Sequence, residues 1–122
     1  MRKNSVIIII RLIASLLAGG GIIHWLIILG FFKEEAPWLV TVYFHSLAVF
    51  NLLAAVGLWR LKQWGRYLAI TISLTQIPSH SWFIFQQIVR SRPLESWRFG
   101  DIAIVAFFLI FLTRKETKAY FK

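Results

Sequence analysis

The stretch LIASLLAGGGIIHWLIILGFF, residues 12–32, runs for 21 positions without a charged side chain. Wound as an α-helix at about 1.5 Å per residue it rises roughly 32 Å, enough to cross a hydrocarbon core about 30 Å thick. Two further runs, WLVTVYFHSLAVFNLLAAVGLW (38–59) and YLAITISLTQIPSHSWFIFQQIV (67–89), are uncharged over 22 and 23 positions. A fourth, IAIVAFFLIFL (102–112), is apolar for only 11 residues. It must borrow flanks out to 96 and 113, which places Arg98 and Asp101 near an interface. The remaining sequence is too short to solvate four helices buried in a soluble core. The runs also lack the strict alternation of barrel strands. The expected fold is therefore all-α: an integral membrane bundle of four spanning helices, near 6–32, 38–60, 66–90 and 96–113, in one domain over 1–122. Short connections make sequential helices antiparallel neighbours, up-down-up-down.

Composition agrees. The 122 residues are 58% hydrophobic and 16% charged, with a mean hydropathy of +0.68. A soluble protein this small needs many charges to cover its surface, so soluble globular and disordered classes are set aside. The net charge of +9 belongs, in a membrane chain, to cytoplasmic loops rather than to a nucleic-acid partner. With the N-terminus inside, that side collects Arg2, Lys3, Arg11, Arg60, Lys62, Arg66, Arg114, Lys115, Lys118 and Lys122 against Glu116 alone. The other side balances Lys33, Arg90, Arg92 and Arg98 with Glu34, Glu35, Glu95 and Asp101. Both termini are thus expected in the cytoplasm, in a bacterial inner or comparable membrane. Trp38, Trp59, Trp64, Tyr67 and Trp97 fall at helix ends, where an aromatic belt is expected. The start of the chain has the outline of a signal peptide, but its apolar stretch is longer than such segments carry and is expected to remain as a span.

No cysteine is present, which excludes disulfides and thiolate chemistry. Phosphate loops, zinc-binding His-Glu-x-x-His and paired carboxylates are lacking, and no Asp or Glu lies mid-span as in proton-coupled pumps. No catalytic residue is expected. His24, His45 and His80 lie at similar depth on three spans and form the one constellation with ligand chemistry, for haem b or a metal ion. The preferred expectation is structural imidazoles, each hydrogen-bonded within the bundle, and no cofactor. Gln76, His80, Phe83 and Gln87 share one face of the third span, which Pro78 interrupts. That face suits a headgroup, a quinone or a partner helix, with interhelical hydrogen bonding the preferred reading. Ser15, Gly19, Gly20 and Gly21 form a small-residue surface for close helix approach, with Ala54, Ala55 and Gly57 as its counterpart. Arg60, Lys62 and Arg66 in the inner loop are placed to meet anionic headgroups.

From 55 to 112 the chain resembles a family of small bacterial membrane proteins known as a domain of unknown function. The shared features are Gly57-Leu58-Trp59, a basic turn with Trp64 and Tyr67-Leu68-Ala69, then Ile77-Pro78, Arg90 and Arg92-Pro93, and Asp101-Ile102-Ala103-Ile104-Val105. Family members tend to carry Glu just after the Ile-Pro, where Ser79-His80 stands, and Asn where Asp101 stands. The resemblance implies a four-helix architecture and supplies no activity. The expected function is a non-enzymatic accessory or scaffold subunit, packed against another membrane protein or its own copies. The alternatives are a haem- or quinone-binding redox protein using the histidines, and a small transporter or channel lined by the polar stripe.

Overall fold

The computed structural model describes residues 2–31, 38–94 and 96–122. The expected 33–37 connection, with Lys33, Glu34 and Glu35, and also Glu95, lie outside the described residues. Five helices follow in order: α1 (Lys3–Phe31), α2 (Trp38–Trp59), α3 (Gln63–Val89), α4 (Trp97–Thr113) and α5 (Lys115–Lys118). All regular structure among the described residues is helical. Among the described residues, two stretches are by length and composition long and apolar enough to cross a membrane, Lys3–Leu26 and Thr41–Trp59. The C-terminal half of α3 carries too many amides and hydroxyls to pass that test. At 17 residues, α4 rises only about 26 Å.

The chain divides into two compact units. The first comprises Met1–Ala69 and Tyr120–Lys122. In it α1 and α2 run antiparallel, as three pairings along their length show. Arg11 Cζ lies 5.2 Å from the Trp59 ring centre. A Cβ on Gly21 would stand 3.0 Å from Ala48 O. The Trp25 indole N–H donates to His45 Nδ1 at 3.0 Å. On α1, Val6, Ile10, Ile13, Ala14 and Leu17 are buried, the spacing of one helical stripe. On α2, Ala48, Asn51, Ala54, Ala55, Gly57 and Leu58 are buried.

The turn from α2 to α3 is tighter than the sequence suggests. The Lys62 N–H donates to Gly57 O and the Leu61 N–H to Leu58 O, with Leu61 at φ 55°. This is a Schellman ending, and a leucine in its left-handed position costs about 1–2 kcal/mol relative to glycine. The compensation comes from the far end of the chain. Lys122 N–H donates to Leu61 O, and Gln63 N–H donates to Lys122 O. An orphan donor in the first turn of α3 is thereby satisfied. That is why α3 starts at Gln63 rather than at the expected 66. Phe121, beside this clamp, is buried.

The second unit comprises Ile70–Ala119. Here α3 ends in a second Schellman turn: Arg92 N–H donates to Gln87 O and Ser91 N–H to Ile88 O, with Ser91 at φ 50°. Pro93 follows and prevents continuation. Val105, Phe108, Phe111 and Leu112 form the buried stripe of α4. α4 stops at Thr113, whose hydroxyl donates to Leu109 O at 2.6 Å, and Arg114 turns extended at ψ 140°. The side chain competes for the last helical carbonyls.

Candidate functional site

Polar chemistry in the second unit gathers where the end of α3 meets the start of α4. Residues 80, 83 and 87 share a face of α3, and the start of α4 brings Trp97, Arg98 and Asp101 back onto it. His80 Nε2 lies 3.7 Å from Asp101 Oδ2, and the His80 ring meets Trp97 edge-on with centroids 6.0 Å apart. Arg98 Cζ stands 4.5 Å from the centres of both Phe83 and Trp97. Two rings thus fix a guanidinium that would otherwise be mobile. The two departures from the family resemblance, at 79–80 and at 101, fall on facing partners in this cluster.

Beside it opens a cleft of about 730 Å³. Its polar walls are Gln86, Gln87, Arg90, Arg92 and Arg98, and its apolar floor is Trp82, Phe83 and Pro93. No carboxylate lines it among the described residues. The turn at Ser91 holds Arg90 and Arg92 on a hydrogen-bonded backbone rather than on a loose loop. A cleft of this size lies within the range of small-ligand sites. Its cations suit an anion, because a guanidinium fork matches carboxylate or phosphate oxygens.

The polar stripe is divided by this arrangement. Gln87 lines the cleft, His80 pairs with Asp101, and Gln76 is half-buried one turn before His80. The hydroxyls around them bond within α3: Ser79 donates to Thr75 O and Ser81 to Ile77 O.

In the first unit, His24 Nδ1 approaches Gly20 O at 2.6 Å. A carbonyl only accepts, so this nitrogen carries the proton. His45 has the opposite sense, since Nδ1 accepts from the Trp25 indole. Its proton then sits on Nε2, which removes the lone pair a metal would use while that bond holds. Among the described residues, no three His, Cys, Asp or Glu side chains gather closely enough to hold a metal ion.

The small-residue surface is narrower than its sequence. Gly21 alone of the three consecutive glycines abuts α2; among the described residues, nothing lies within 4 Å of a Cβ built on Gly19 or Gly20. Ser15 donates to Arg11 O on its own helix. Ala54 and Ala55 are buried. Gly57 instead meets Gly65, where a Cβ on either would run into the other's backbone. In the turn between α2 and α3, Arg60 and Lys62 are exposed. Arg66 is only 6% exposed, with Nη1 donating to Gln63 Oε1 at 3.4 Å and Cζ 5.3 Å from the Tyr67 ring centre. Its burial sets it apart from the exposed Arg60 and Lys62.

Sequence reading missed the cleft. It counted Arg90, Arg92 and Arg98 into a balanced outer charge, and a balanced sum conceals local clustering. The signal available was an Arg-x-Arg-Pro turn five residues before a third arginine, beside two glutamines.

No curated protein and no solved structure matches the chain. A family description does match, over residues 4–118: the chain belongs to a family of unknown function, DUF6163.

Proposed function

We propose that this protein is a four-span membrane protein with cytoplasmic termini, serving as a non-enzymatic accessory or scaffold subunit that packs against another membrane protein or its own copies. The observation that carries this reading is how the in-span polar groups are used. Ser15, Ser79, Ser81 and Thr113 turn back onto carbonyls of their own helices, and Trp25 pairs with His45. These hydroxyls are satisfied within their own helices and are not held out for a ligand or a proton relay, and the Trp25–His45 bond joins two helices. Large apolar side chains meanwhile stay exposed along every long helix, among them Leu12, Leu16, Val42, Leu53, Trp82, Phe85, Phe107 and Ile110. Exposed apolar area on that scale belongs against lipid or partner helices. In this arrangement α3 and α4 cross with their polar and charged outer ends at the interface, so their shorter apolar cores suffice.

The test is purification from the native membrane in mild detergent after crosslinking, with an absorption spectrum on the same sample. Stoichiometric recovery of one membrane partner, or of a crosslinked homo-oligomer, and a featureless visible spectrum are expected. A Soret band that His45→Leu abolishes would overturn the reading in favour of haem. Solute flux through reconstituted vesicles that Gln76→Leu suppresses would overturn it in favour of a transporter.

A further inference from the structure

We propose that the cleft at the outer end of α3 binds the phosphate of an anionic amphiphile, in the simplest case an acidic phospholipid headgroup. It rests on the membrane-spanning reading only for the source of the ligand; the chemistry is that of the cleft. Three guanidinium groups, Arg90, Arg92 and Arg98, line one space, and the residues lining it among those described include no carboxylate. Guanidinium groups recognise phosphate through paired, charge-assisted hydrogen bonds. Arg98 is already held by Phe83 and Trp97, each 4.5 Å away, so ordering it on binding costs little. Arg92 sits on a backbone fixed by its own N–H bond to Gln87 O.

The rest of the cleft argues for an amphiphile rather than a bare ion. A phosphate fills a small part of about 730 Å³. Gln86 and Gln87 add amide donors and acceptors suited to glycerol hydroxyl or ester oxygens. Trp82 and Phe83 give the same space an apolar wall, where the first carbons of an acyl chain would lie. Trp82 is 58% exposed, as expected of an indole at a membrane surface. Arg60 and Lys62 belong to the first unit and are not among the residues lining this cleft.

The experiment uses the full-length protein in an uncharged detergent. It is titrated calorimetrically with dihexanoyl phosphatidylglycerol, dihexanoyl phosphatidylcholine and inorganic phosphate. Phosphatidylglycerol is expected to bind at least about tenfold more tightly than either of the others, and Arg92→Gln with Arg98→Gln to weaken it by about tenfold per arginine. Arg60→Gln with Lys62→Gln should leave that affinity unchanged. Arg90→Gln with Arg92→Gln, at two exposed positions, gives a second variant that keeps the aromatic stack and should also lose affinity. Equal binding of the two lipids, or indifference to both arginine pairs, would overturn the proposal. Inorganic phosphate binding as tightly as phosphatidylglycerol would overturn the amphiphile and leave an ion site. Because the titration needs neither partner nor bilayer, its failure leaves the scaffold reading standing, and failure to recover a partner leaves the cleft standing.

Discussion

Glycine at 57 and 65 serves contact, not flexibility. A Cβ on Gly57 meets Gly65 Cα and lies 2.9 Å from Trp64 Cζ3, so backbone rather than a movable side chain is in the way. Gly57→Ala and Gly65→Ala should each destabilise the protein in detergent by about 1–3 kcal/mol, the cost of overpacking. Gly19→Ala and Gly20→Ala meet nothing within 4 Å among the described residues. They should raise stability by up to about 1 kcal/mol through helix propensity. Thermal melts of the four variants check the contrast, and equal effects at all four sites would refute it. Asn51 offers a second test. It is 2% exposed, and its Oδ1 has no hydrogen-bond partner among the described residues. A buried acceptor left unpaired costs about 1–3 kcal/mol. Asn51→Leu, which keeps the branched shape and removes the unpaired acceptor, should therefore melt at or above the temperature of the parent. A clear loss would mean that the amide has a partner outside the described residues.

The start of α3 depends on an element remote from it in sequence. Two backbone hydrogen bonds join Lys122 to Leu61 and Gln63, and Phe121 is 5% exposed. Phe121→Ala should cost about 3 kcal/mol, within the range for buried aromatic truncation. Hydrogen exchange of the 61–66 amides should rise with it; unchanged exchange there would sever the link. At the other end of α3, His80 and Asp101 tie it to α4. Under the proposed four-span arrangement, a double-mutant cycle of His80→Leu and Asp101→Asn should give a coupling of about 0.6 kcal/mol, the usual worth of a polar contact between membrane helices. Additive losses would show that the 3.7 Å approach carries no energy. Both helices were legible from apolar runs alone. The close of α4 at Thr113 was legible too, but the start of α3 was not, because the Gln63 N–H is satisfied by Lys122 O, a partner remote in sequence.

Orientation is tested on the whole molecule. The chain has no cysteine, so single cysteines at Arg92 and Lys118 report without background. An impermeant maleimide should label Arg92→Cys in intact cells and label Lys118→Cys only after lysis. The reverse pattern would invert the topology. What the sequence determined by itself is what summed composition controls: helical class and two unmistakable apolar helices. Each follows from the transfer of many side chains, and no single contact can change it. The candidate residues were legible as types and not as groups. His45 was visible as a possible ligand, and the Trp25 bond that sets its proton was not. Gly19, Gly20 and Gly21 were indistinguishable until α2 was seen to touch only the last. Arg66 looked like its neighbours Arg60 and Lys62 until it was found buried against Gln63 and Tyr67. Three arginines that cancelled in the charge count came to line one cleft. Tertiary structure alone decided these, because hydrogen-bond sense, close approach and charge clustering depend on distances between residues far apart in the chain.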